Sequence, residues 1–138
     1  MNINYIAVLV AAVAQFIFGA IWYMPIFGKL WGKIHGYDTK SQEEQKEMMK
    51  QMWPLLLIQF IITLVTSVVF AILVNGLPAD WNIYLLAGLF WLGFIVPSQI
   101  AAVIFGGTDP KWIVPKILIM AFGAFGCMMI LSFVIKAI

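Results

Sequence analysis

Apolar positions in this chain gather into four long runs, separated by two short polar breaks and one longer polar segment. The runs cover about residues 3–24, 55–74, 83–105 and 113–135, each close to the roughly 20 residues a helix needs to cross a bilayer. None has the ten-residue polar/apolar alternation of a membrane barrel, and a backbone in hydrocarbon must satisfy its own hydrogen bonds, so the runs read as helices. The pattern predicts an all-α integral membrane protein: one transmembrane domain over 1–138, four transmembrane helices in an up-down bundle.

Boundary residues agree with these runs. Ala12-Val13-Ala14 resembles a signal-peptide cleavage site, but no lysine precedes it and the apolar stretch runs on, which predicts a retained first helix. Pro25 interrupts the hydrogen-bond ladder, Asn75-Gly76 followed by Pro78 closes the second helix, and Gly106-Gly107 closes the third. Asp80 is the expected N-cap of the third helix, and Asp109 followed by Pro110 that of the fourth.

The longer polar segment occupies about residues 28–53. Ser41 and Glu44 stand there at capping-box spacing. Beyond them Met48, Met49, Met52 and Trp53 share one face, with Glu43/Lys46 and Glu47/Lys50 placed to pair on the other. Such a segment is either an amphipathic helix lying on the membrane or an extension of the second helix past Pro54.

Composition strengthens the membrane reading: 64% of residues are hydrophobic and 10% charged, with a mean hydropathy of +1.02, against about 45–50% and 25% in soluble domains. A net charge of +2 does not imply nucleic acid, and with no arginine the bidentate fork for phosphate or carboxylate is missing. Cys127 is the lone cysteine and leaves the redox compartment open. The lysines are unevenly placed. Lys29, Lys33, Lys40, Lys46, Lys50, Lys111 and Lys116 fall at the long-loop side and Lys136 at the other. The positive-inside rule then predicts a cytoplasmic long loop and both termini outside. Trp22, Trp31, Trp53 and Trp112 mark the loop-side interface and Trp81 the other, while Trp91 lies deep in a span, where an indole serves packing or lines a cavity.

No Asp, Glu, Arg or His lies inside a span, which argues against proton relays and cation-coupled carriers. The polar residues inside the spans are few: Gln15, Gln59, Ser98-Gln99 beside Pro97, and Lys116 beside Pro115. Gln59, Gln99 and Lys116 stand at similar depth, roughly 8–10 Å from the loop-side boundary. They are expected either to line a small polar cavity or to act as interhelical glue with Lys116 snorkelling to the headgroups. Small-residue stripes at Ala7, Ala11, Gln15 and Gly19, at Gly93, Pro97 and Ala101, and at Gly123 and Cys127 offer close helix contacts. Pro97 is expected to bend its helix. His35 has no companion ligands, and the nucleotide-binding, hydrolase and zinc-protease signatures are missing, so no metal, cofactor or catalytic residue is expected.

The stretch "GAIWYMPIFGKLW", with Gly19, Trp22, Tyr23, Pro25, Phe27, Gly28, Lys29 and Trp31, resembles the hallmark of a family of small bacterial and fungal membrane proteins, domain of unknown function 1761. The later "GLFWLGF" and the four-span layout are similar too. The resemblance implies the architecture and no activity. By itself the stretch reads as the cytoplasmic exit of the first helix, bent at Pro25, with Trp22 or Tyr23 turned inward toward Gln59 and Gln99.

Two functions fit. The favoured one is a homo-oligomeric channel or transporter-like protein that binds a small polar or anionic solute among Gln15, Trp22, Tyr23, Gln59, Trp91, Ser98, Gln99 and Lys116. The alternative is a non-catalytic scaffold or accessory subunit that docks a partner or membrane lipid through its amphipathic loop. Enzymatic work ranks third, because only Lys116, Tyr23 and Cys127 are at hand as titratable groups within or beside the spans.

Overall fold

A computed structural model describes residues 2–138 and is helical throughout, with no strand among the described residues. Helix α1 spans Tyr5–Ile21 and runs into a π-helical turn at Trp22–Ile26. Helix α2, Gly28–Ile34, follows the break at Phe27, and α3 then extends without interruption from Gln42 to Asn75. Helix α4, Ile83–Phe90, passes through a second π turn at Trp91–Ile95 into α5, Val96–Phe105; α6 covers Ile113–Ala137. Four stretches are long and apolar enough to cross a membrane: Tyr5–Ile26, Gln42–Asn75, Ile83–Phe105 and Pro110–Ala137.

The packing order across the molecule is α3, α1, α6 and then α4–α5. Neighbours run antiparallel. Asn75 Nδ2 donates to the Asn2 carbonyl at 3.0 Å at one end of the α1–α3 pair, and Gln15 meets Ser67 farther along. Trp22 bonds Ile119 at one end of the α1–α6 pair while Asn4 reaches Ile138 at the other. The tight core lies toward the termini, where Ala11, Phe70, Leu86, Ala87, Met128 and Leu131 pack together. The first small-residue stripe explains part of this: Ala7, Ala11 and Gln15 are buried. The second faces away from the chain, for Gly93, Pro97 and Ala101 are all exposed.

Local sequence accounts for the ends of the elements. The Ser41 hydroxyl accepts from the Glu44 amide at 3.2 Å and starts α3. The amphipathic segment is thus the first third of α3, continuing through Pro54. The expected Glu43/Lys46 and Glu47/Lys50 pairs do not form; Lys40 and Glu44 approach to 4.0 Å, exposed. Asn82, not Asp80, caps α4, accepting from Tyr84 N at 2.9 Å and Leu85 N at 3.3 Å. A turn closed by Trp81 N on the Pro78 carbonyl brings Asn82 to the helix start and leaves Asp80 in the loop. Gly107, at φ 76°, supplies the left-handed residue after α5.

Both π turns stand next to prolines. Phe27 N bonds the Trp22 carbonyl at 3.0 Å, a five-residue step that carries the ladder past Pro25. Val96 N bonds the Trp91 carbonyl in the same way, directly before Pro97. Since a proline ring collides with the carbonyl four residues back and donates nothing to it, a widened turn relieves the clash. The expected bend at Pro97 therefore takes the form of a π turn containing Gly93.

Candidate functional site

Helix α6 is the hub on which the conspicuous side chains converge. Three successive carbonyls accept side-chain donors: Ile119 from Trp22 Nε1 at 2.9 Å, Met120 from Gln99 Nε2 at 3.3 Å, and Ala121 from Trp91 Nε1 at 2.6 Å. Successive carbonyls project about 100° apart around a helix, so α6 is gripped from several directions at one level. A helical carbonyl keeps a second lone pair after its intrahelical bond, and that is the acceptor each indole finds here. Each tryptophan is the first residue of a π turn. The widened turns and the indole bonds together fix α1 and α4–α5 on α6.

An aromatic cluster extends from this hub toward the long loop. Phe18, Trp22 and Phe27 stack in sequence, with ring centroids 5.7 and 4.7 Å apart. Tyr23, Trp31 and His35 form a second row at 4.8 and 4.5 Å. The Lys116 ammonium stands 5.9 Å from the centre of the Trp31 ring, a cation–π arrangement tying α6 to α2. Gly123 admits the first row, since a Cβ there would lie 2.8 Å from Trp22 Nε1 and 3.4 Å from the Tyr23 hydroxyl. The stretch from Gly19 to Trp31 is therefore a folded aromatic wedge seated against α6.

A family model described as "Protein of unknown function (DUF1761)" matches residues 6–136. The chain belongs to the DUF1761 family. No curated protein and no solved structure gives a significant match.

In this DUF1761 protein the polar residues expected to share a cavity stand apart. Gln15 is buried and committed to the Ser67 hydroxyl at 2.9 Å and the Ala11 carbonyl at 3.1 Å, as helix glue between α1 and α3. Gln59 is exposed on α3, its backbone carbonyl accepting from Thr63. Ser98 is exposed on α5 and turns back to the Phe94 carbonyl at 2.7 Å. Gln99 faces α6, with its Oε1 buried and unpartnered. Lys116 is half-buried against Trp31. The cavity of Gln15, Gln59, Ser98, Gln99 and Lys116 is not assembled within the chain, because their helices present them to different neighbours. Trp22 does turn inward, but onto Ile119 rather than toward Gln59; Trp91 packs on Phe125, 5.0 Å away.

Of the family-motif residues, Trp22, Tyr23, Phe27 and Trp31 join the wedge, Pro25 sits inside its π turn, Gly28 starts α2, and Lys29 is exposed. Gly19 has open space where a Cβ would be. Two shallow clefts lie at the opposite end. One of ≈ 230 Å³ opens between Asn2, Asn4, Asn75 and Ile138, and a smaller one of ≈ 100 Å³ lies near Trp81 and Asn82. Sequence reasoning missed the cluster of acceptors on α6, and the two Trp-plus-downstream-Pro patterns, Trp22/Pro25 and Trp91/Pro97, were its only trace.

Proposed function

We propose that this DUF1761 protein is a non-catalytic scaffold or accessory subunit of the bacterial inner membrane, with the long loop cytoplasmic and both termini outside. One observation carries the reading: α3 is a single uninterrupted helix of 34 residues, about 51 Å long at 1.5 Å per residue. The hydrocarbon core of a bilayer takes up about 30 Å, so roughly 20 Å of α3, the part before Leu55, stands outside it. That arm carries Met49, Met52 and Trp53 exposed. Apolar side chains held on a stiff helix in water are what a docking element requires.

The polar groups inside the spans add support. Gln15, Trp22, Trp91 and Gln99 spend their donors on neighbouring helices, as structural elements do. Catalysis would need a titratable group aimed into a cleft, and the two clefts toward the termini are lined by asparagines and apolar side chains. The lysine asymmetry supplies the orientation.

The test is the mass of the particle that holds the protein, extracted in lipid nanodiscs from its own membrane. An assembly larger than the 15.5 kDa chain is expected, and the double substitution Met49→Lys/Met52→Lys should shrink it while leaving the helical content unchanged. A wild-type particle containing a single chain and nothing else would overturn the reading.

A further inference from the structure

Helix α3 packs chiefly against α1, and the face it leaves uncovered has a regular pattern. Within the membrane-spanning part that face is broad, with Leu57, Ile58, Ile61, Val65 and Ile72 exposed on it, and the line that carries its exposed polar residues runs Leu55, Gln59, Ile62, Thr66, Val69 and Leu73, all exposed. The spacings alternate four and three. This is the heptad repeat of a helix that pairs along a left-handed seam.

The phase continues into the arm, where Met52 and Met48 fall on the same line. Met49 and Trp53, the other apolar residues of the arm, lie off this line. Lys46, Glu47 and Lys50 lie on the opposite side, and Pro54 points away from the seam as well, about 200° round from Met52. Phe60 and Ser67, by contrast, turn toward α1, where they meet Phe16 and Gln15.

Gln59 decides what covers the seam. It lies about 6 Å inside the apolar run that begins at Leu55, it is exposed, and its carboxamide bonds to no group of its own chain among the described residues. Hydrocarbon offers neither donor nor acceptor to it. A carboxamide holds both, so two glutamines facing each other across a two-fold axis satisfy one another reciprocally. Two copies inserted in the same sense place their α3 helices parallel, and equivalent heptad positions then meet.

We propose that α3 pairs with α3 of a second copy of this chain through the Met48–Leu73 seam, with Gln59 hydrogen-bonded to the partner's Gln59. The proposal rests on the scaffold reading and names the occupant of its docking helix. A polar residue at such a seam position sets register and oligomer state at some cost in stability, which gives Gln59 a role in specificity. The projecting arms zip together above the bilayer and leave Trp53 free.

The experiment is oxidative cross-linking of single cysteines introduced into the full chain carrying Cys127→Ala, in native membranes. Leu55→Cys, Ile62→Cys and Val69→Cys should form dimers efficiently, and Leu57→Cys and Ile61→Cys, which lie off the seam, should not. In nanodiscs Gln59→Leu, which removes both bonds of the reciprocal pair, should weaken association roughly 10- to 200-fold, the range of two interhelical hydrogen bonds in a membrane, with Gln59→Asn recovering much of it. Because the Gln59 carboxamide hydrogen-bonds to no group of its own chain among the described residues, thermal unfolding of the Gln59→Leu monomer should match wild type. Equal cross-linking at all five positions would overturn the proposal. A larger particle whose extra mass is a different protein, without seam cross-links, overturns self-pairing and leaves the scaffold reading standing; a lone chain overturns both.

Discussion

Trp22 occupies the space that any side chain on Gly123 would need: its Nε1 lies 2.8 Å, and its Cδ1 2.9 Å, from the position of a Cβ there. The same indole donates to the Ile119 carbonyl one turn earlier on α6. Two opposed effects follow from a methyl at Gly123. Helix propensity favours alanine over glycine by about 1 kcal/mol, and overpacking a fixed ring costs about 1–3 kcal/mol. Gly123→Ala is expected to lower stability, measured by reversible unfolding in mixed micelles, because the hydrogen bond pins the ring. In a Trp22→Leu background the same substitution should become neutral or stabilising. A stabilised single variant would mean that the indole moves aside freely.

The two indole bonds to α6 allow a graded comparison. Trp91→Phe keeps most of the packing on Phe122 and Phe125 and loses only the donor to the Ala121 carbonyl. That carbonyl retains its intrahelical bond, so the loss should be about 0.5–1.5 kcal/mol. Trp91→Ala empties the space between α4–α5 and α6 and should cost about 3–5 kcal/mol. Equal losses for the two variants in the same unfolding assay would assign the whole effect to the hydrogen bond rather than to packing.

Gln15 and Ser67 form the buried polar contact between α1 and α3, at 2.9 Å. A double-mutant cycle with Gln15→Met and Ser67→Ala should give a coupling of about 0.6–1.7 kcal/mol. The Ser67 hydroxyl also donates to the Thr63 carbonyl at 2.8 Å and thus presents its oxygen to Gln15 in fixed geometry. Steric trapping in bicelles measures the coupling; a value near zero would show that the two side chains are neighbours without being partners.

What could be read from the chain alone followed how strongly each feature is forced. Four long apolar helices were legible because unbroken apolar runs of that length have few solutions, and the Ser41 cap because one hydroxyl satisfies one amide at a fixed offset. The candidate site was less legible. Gln15 and Gln59 are the same residue type inside an apolar run, yet one is buried against Ser67 and the other faces outward. Composition and depth give no direction around a helix. The π turns were hidden for a related reason: Pro25 and Pro97 signal only that the ladder must change. That it widens at Trp22 and Trp91 depends on carbonyls about 97 and 30 residues away, at Ile119 and Ala121. The heptad on α3 was present in the sequence, but a helix that is apolar on most faces hides its seam until the face against α1 is known.

The cap of α4 separates two residues that sequence alone treats alike. Asn82 satisfies the amides of Tyr84 and Leu85, whereas Asp80 does not reach the helix. Asn82→Ala should therefore destabilise the protein by about 1 kcal/mol, and Asp80→Ala should lie within about 0.5 kcal/mol of wild type, as surface changes usually do. Amide hydrogen exchange gives the local readout: protection at Tyr84 and Leu85 should fall in Asn82→Ala and stay unchanged in Asp80→Ala. Loss of protection in the aspartate variant instead would place the helix start two residues earlier. It would also undo the turn closed by Trp81 on Pro78, at 3.0 Å, and with it the cleft that Trp81 and Asn82 line.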